Sequence, residues 1–184
     1  PATKKGTAHV ALTITAVNDA PFASPPLASH LVQTTDDQIN VPLGLQAATY
    51  FAGPNNERSS QTLLVTVTEV PDARIGRLTM SGGVTQLVPG MQLSAAQLAT
   101  VLFQPVSGAS ATGRFSYVVS DSGGTANGGR DRIAETITIQ VSLGVNSHPA
   151  LSRFLRAYNP TADYHFFTTN PSEFAAAIRG GYVD

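Results

Sequence analysis

The sequence contains no cysteine. That excludes disulfide staples, thiolate metal sites and a cysteine nucleophile, but not export, since large surface proteins use other staples. Charge is also scarce: Asp, Glu, Lys and Arg together make up 12% of the 184 residues, roughly half the share of an ordinary soluble domain. The formal net charge is -1 and Lys4-Lys5 is the only basic pair, so there is no basic field to hold nucleic acid. No apolar run is long enough to cross a membrane as a helix. The four histidines, His9, His30, His148 and His165, lie far apart without metal-ligand spacing. No nucleophile elbow, phosphate loop or dinucleotide fingerprint is present. The sequence therefore reads as that of a protein that is not an enzyme.

What fills the gap is Thr, Ser, Ala and Gly around a 42% hydrophobic content, enough for a core and suited to a weakly charged extracellular β-protein. Residues 7–17 alternate apolar and polar, with Val10, Leu12 and Ile14 on one face, and read as a β-strand ending at Val17-Asn18-Asp19-Ala20-Pro21. Residues 134–149 repeat the arrangement: Ile137, Ile139, Val141 and Leu143 alternate, then Val145-Asn146-Ser147-His148-Pro149 closes the segment. A strand followed by Val-Asn-x-x-Pro thus occurs twice, the economical reading of which is a tandem array. Residues 1–17 are then the last strand of a preceding repeat, 18–145 a complete repeat, and 146–184 the start of another module.

Within 18–145 the pattern predicts strands over 28–34, 39–52 with an irregular middle at Pro42-Leu43-Gly44, 62–70, 75–80, 101–104, 114–120 and 135–143. A single helical turn is expected near 94–100, where Ser94 and Gln97 have capping-box spacing. About seven strands with Gly, Pro, Ser and Asn turns predict an all-β, two-sheet Greek-key sandwich. After Pro149 the texture changes: seven of the thirteen Phe and Tyr residues fall in the last 35 positions. Asn170-Pro171-Ser172-Glu173 is a helix start and Gly180-Gly181 a stop, predicting a helix over 171–179 inside a small partial α+β segment.

Alternating strand direction brings the linker 18–21, the loop 53–58 and the loop 121–131 to one end of the sandwich. Together they offer Asn18, Asp19, Glu57, Asp121, Asn127 and Asp131. Such hard oxygen donors on glycine-rich loops suit Ca²⁺, which takes six to eight oxygens in flexible geometry. A calcium-stiffened junction is one reading. In the other, Asp and Asn only cap turns while Glu57 pairs with Arg58 or Arg130. At the 145–149 junction, Ser147 and His148 stand in the places of Asp19 and Ala20, so calcium is expected to bind there weakly or not at all.

Three patches carry a family resemblance. Ala16-Val17-Asn18-Asp19-Ala20-Pro21, Gly53-Pro54-Asn55-Asn56-Glu57 with Gln61-Thr62-Leu63, and Asp121-Ser122-Gly123-Gly124-Thr125-Ala126-Asn127-Gly128-Gly129-Arg130-Asp131 resemble the boundary and loop motifs of bacterial cadherin-like repeats in giant surface adhesins. The resemblance implies a cadherin- or immunoglobulin-like sandwich in a calcium-stiffened stalk outside the cell, with the same acids as ligands. Many such repeats have paired Asp where this chain has Gly53-Pro54-Asn55-Asn56. The tail, Arg153–Pro160 with His165–Thr169 and Glu173-Phe174, is similar to a short repeat of secreted bacterial proteins that resembles a trefoil-like sugar-binding unit. That implies glycan contact through Tyr158, Tyr164, His165 and Phe166, against the alternative that these rings are the module's own core. A third expectation is that strand 7–17 pairs with another copy by strand addition and builds filaments.

Overall fold

Where the period-two pattern is strongest, the chain builds its longest strands. A computed structural model describes residues 5–6, 8–27, 29–80, 82–145 and 154–183. In chain order the sandwich contains β1 (Phe22–Ser24), β2 (Leu31–Thr35), β3 (Val41–Pro42), β4 (Thr49–Phe51), β5 (Leu63–Glu69), β6 (Gly76–Met80), β7 (Thr85–Gln86), β8 (Gln92–Leu93), β9 (Leu102–Pro105), β10 (Ala111–Asp121) and β11 (Arg132–Ser142). One sheet has the order β2-β11-β10-β5-β8 and the other β3-β9-β6-β7, with β1 paired to β4. β3 and β4 are the halves of one extended run, broken by a 3-10 turn at Leu45–Ala47 that starts at Gly44 with φ 79°. β10 and β11 pair antiparallel from Ala111↔Val141 to Ser120↔Arg132. β2 pairs parallel to the second half of β11, from Leu31↔Thr138 to Thr35↔Ser142. The fold is an all-β sandwich with a small C-terminal helical piece, as the sequence predicts.

Alternation explains the core. Phe115, Tyr117 and Val119 of β10, Ile137, Ile139 and Val141 of β11, and Val65 and Val67 of β5 point inward. They meet Leu78, Met80 and Phe103 from the other sheet, and all are buried. Burying each large aliphatic or aromatic side chain stabilises the fold by about 1.5–3 kcal/mol. The short helix α1 (Ala95–Leu98) carries the predicted capping box: Gln97 N–H donates to Ser94 Oγ at 3.1 Å and Ser94 N–H to Gln97 Oε1 at 2.9 Å. It seats Leu98 in the core.

A buried hydroxyl pair joins β4 to β10. The Tyr50 and Tyr117 hydroxyls lie 2.8 Å apart in the buried centre, and burial pushes both phenols above their ordinary pKa. Tyr50→Phe and Tyr117→Phe are each expected to lose about 1–2 kcal/mol, because each leaves the other hydroxyl buried without its partner. The double variant is expected to lose little more than one single, which urea unfolding of the four-member cycle checks.

The expected strand over 7–17 has no partner strand among the described residues. Its described residues, 8–17, take no strand assignment, and Val10, Leu12 and Ile14 are 91%, 82% and 85% exposed. A strand satisfies its backbone only against a neighbour, and no described residue pairs with this segment. The 145–149 junction lies almost wholly outside the described residues.

The C-terminal unit is a hairpin with a helix. β12 (Leu155–Asn159) and β13 (Tyr164–Thr168) pair antiparallel, and the helix α2 (Pro171–Arg179) follows. Asn170 Oδ1 accepts the Ser172 N–H at 2.9 Å, with Pro171 opening the first turn. Val183 returns to bridge Tyr158. The expected helix over 171–179 is the one observed.

Candidate functional site

Three sequence-distant segments do meet at one end of the sandwich, around Asn18. The Asn18 carbonyl accepts the Arg130 N–H at 2.9 Å. Its side-chain amide donates toward Asp121 Oδ1 at 2.9 Å, Gly124 O at 3.1 Å and Arg130 O at 2.7 Å, and its Oδ1 accepts from Gln61 Nε2 at 2.7 Å. The glycine-rich loop is what admits this side chain. A Cβ on Gly123 would lie 2.0 Å from Asn18 Oδ1 and 2.6 Å from Gln61 Nε2.

The next residue reaches the second loop. Residues 54–61 coil into a turn, with Glu57 N–H donating to Pro54 O at 2.9 Å and Gln61 N–H to Glu57 O at 3.1 Å. That turn folds the Glu57 carboxylate back over Gly53, where a Cβ would meet Oε2 at 2.0 Å. Glu57 is 8% exposed. The Asp19 N–H approaches both its oxygens at 3.4 Å, and among the described residues it has no ion pair. Arg58 is engaged elsewhere: its guanidinium stands 3.9 Å from the Phe51 ring centroid and 5.5 Å from that of Phe22, and its Nε donates to Gly53 O at 3.1 Å.

Two oxygens at this junction lack a donor among the described residues. Asp121 Oδ1 accepts the Asn18 amide and, at 2.8 Å, the Gly123 N–H, while Asp121 Oδ2 and Gln61 Oε1 are buried with no hydrogen-bond partner there. A buried acceptor left unmatched costs about 1–3 kcal/mol, so these atoms mark a place where the protein alone does not close its hydrogen-bonding account.

Of the six predicted residues, the structure gathers Asn18, Asp19, Glu57 and Asp121. Asn18 spends both ends of its amide on protein groups. Asp131 lies alongside, its carbonyl accepting the Asp121 N–H at 2.9 Å. Its carboxylate, however, turns to Arg132 at 2.9 Å, which holds it below the usual carboxylate pKa. Asn127 occupies a left-handed turn position, φ 55°, and its side chain is exposed. Gln61 is the contributor that charge-based reading missed. Among the described residues, no three Asp, Glu or His side chains stand close enough together to form a metal centre by themselves.

The opposite end holds a different arrangement. Asp36 is 4% exposed. Its Oδ1 accepts the Gly144 N–H and its Oδ2 the Gly108 N–H, both at 2.6 Å. Its own N–H donates to Ser142 O at 2.9 Å. One carboxylate thus ties together three segments where the chain leaves the sandwich.

The four residues expected to touch glycan divide between two faces of the C-terminal hairpin. Tyr158 and His165 are cross-strand partners with ring centroids 4.9 Å apart. Tyr164 and Phe166 lie on the other face, each against Tyr182.

No protein-family model, no curated protein and no solved structure matches the chain. No helix among the described residues is long and apolar enough to cross a membrane.

Proposed function

We propose that this chain is a stalk segment of a secreted or surface-displayed bacterial protein, a cadherin-like spacer whose upper junction is stiffened by calcium. The observation that supports the reading is the oxygen set at that junction: Asp121 Oδ2 and Gln61 Oε1, buried with no donor among the described residues, and the buried Glu57 carboxylate, which has no ion pair among them. These are the hard neutral and anionic oxygens that Ca²⁺ takes. Glu57, Asp121 and Gln61 would hold the ion. Water and oxygens of a preceding repeat would complete the six to eight ligands, which fits the small number of carboxylates present. A bound ion would lock the linker 18–21 to both loops and so fix the angle between successive domains.

The test is thermal unfolding in calcium and in chelator. An ion present at about a hundredfold excess over its Kd stabilises by about 2.7 kcal/mol, or on the order of 5–10 °C in Tm for a sandwich of this size. Glu57→Gln is expected to abolish that rise while leaving the melt in chelator close to that of the parent. Identical melts for the parent in both conditions would overturn the reading.

A second reading rests on the exposed row of Val10, Leu12 and Ile14. Their spacing repeats that of Ile137, Ile139 and Val141, which β11 buries. A segment able to line a core, yet uncovered in its own chain, favours strand addition between copies and hence filaments.

A further inference from the structure

The C-terminal hairpin has one covered face and one open face, and the two differ in chemistry. Leu155, Ala157, Phe166 and Thr168 share the covered face, where Ala157 and Thr168 are buried. Thr168 Oγ1 donates to Glu173 Oε2 of α2 at 2.6 Å. On the open face Phe154, just before β12, is followed by Arg156 and Tyr158 of β12, opposite His165 and Phe167 of β13.

The open face is a ladder of rings. Phe154 stacks on Phe167 with centroids 5.4 Å apart and planes 17° from parallel, and His165 stands 6.1 Å from Phe167 and 4.9 Å from Tyr158. Phe154 is 69% and Phe167 50% exposed. The rings lean on one another along the ridge, so part of each ring face is taken up by its neighbour. A two-stranded sheet covered on one side only is half of a two-layer structure.

The charges on this face are arranged by sign. Arg156, near the open end of the hairpin, has no ion pair among the described residues. At the turn end the Asp163 carboxylate accepts the Tyr158 hydroxyl at 2.8 Å, holding a negative charge at the far end of the same ridge. We infer that the open face is a self-association surface whose occupant is the same face of a second copy. The two hairpins pack ridge to ridge about a two-fold axis that crosses the strands. Reversing strand direction in this way sets Arg156 of each copy against the acidic turn of the other, while the aromatic rows interdigitate between the two pairs. The opposite arrangement, open end to open end, would bring like charges together and is disfavoured.

The expected strength follows from size. Rings of this kind offer on the order of 400 Å² per face, about half of what a standard interface buries on each partner. Association is therefore weak, with Kd on the order of 100 µM. This inference is independent of calcium at the other end of the sandwich.

The experiment is sedimentation equilibrium of the full chain from about 10 µM to about 1 mM, with Phe154→Ser and the charge exchanges Arg156→Glu and Asp163→Lys, each checked for retained fold by circular dichroism. The parent is expected to dimerise reversibly. Phe154→Ser and either single charge exchange are expected to weaken the dimer by about tenfold or more, and the double exchange to restore it. A parent that stays monomeric throughout overturns the inference. So does a dimer that Phe154→Ser leaves intact, which would place association elsewhere, on the exposed 8–17 segment first. A double exchange that fails to restore overturns the two-fold arrangement and the inference with it. Saturable binding of an oligosaccharide by a monomeric chain would return the face to the glycan reading.

Discussion

Asp36→Ala is expected to lower the free energy of unfolding by about 3–5 kcal/mol, since each hydrogen bond to a buried carboxylate contributes about 1.5–3 kcal/mol and its loss strands a donor. Two such bonds, from Gly108 and Gly144, end on this one side chain at 2.6 Å. Asn in its place keeps one acceptor oxygen and is expected to recover about half of the loss. Equilibrium unfolding in urea measures both, and a loss below about 1 kcal/mol for alanine would show that the clasp contributes little. Gly144→Ala is expected to disturb the same pole for a steric reason: its Cβ would lie 2.3 Å from the Asp37 carboxyl carbon, so the Asp37 side chain has to move and gives up its bond to the Thr35 hydroxyl.

Asn18→Ala is expected to cost about 2–4 kcal/mol, because it removes the shared partner of several groups at once. Asp121 Oδ1, Gly124 O, Arg130 O and Gln61 Nε2 all lose their contact to one amide. The informative companion is Asn18→Asp. It replaces the donating nitrogen by an oxygen that faces the Asp121 carboxylate and two carbonyls. In chelator it is expected to be at least as destabilised as alanine, through like-charge repulsion in a partly buried setting. If the proposed ion binds, Asn18→Asp is expected to regain most of that loss in calcium, because the added oxygen would join the proposed ligands. Equal melts for Asn18→Asp with and without calcium would count against an ion at this junction.

Much of this arrangement can be read before any coordinates, and the reasons it stops are local. Residues 62–70, 114–120 and 135–143 carry a clean period of two and became β5, β10 and β11, because half-buried strands require that pattern. β3, β7 and β8, each of two residues, are too short to show a period. β1 was hidden among prolines, and the first predicted strand, 28–34, is observed at Leu31–Thr35. Residues 8–17 show the opposite case, a clear alternation with no partner strand among the described residues. Alternation reports which side of a strand is apolar, but not whether a neighbour exists to cover it.

The site divides in the same way. That residues 18–21, 53–58 and 121–131 converge follows from counting strand directions. Which atoms face one another does not. Asn18 reads as a ligand by type, yet its amide is consumed by the loop it anchors. Asp131 reads as an acid available to a cation, yet Arg132 is adjacent and takes it. The role of Asp36 is not legible in the sequence because its partners lie 72 and 108 positions away, a separation that no local pattern encodes.

The parallel pairing of β2 with β11 has a mechanical consequence. The chain enters near Arg130 at one pole and leaves past Ser142 at the other. Tension applied through the two ends would pull β2 and β11 lengthwise in opposite directions. The ladder from Leu31↔Thr138 to Thr35↔Ser142 is then loaded in shear, so its rungs must yield together and not peel one after another. Resistance to force is a matter of the unfolding rate, and a tether built this way resists pulling beyond what its equilibrium stability alone implies.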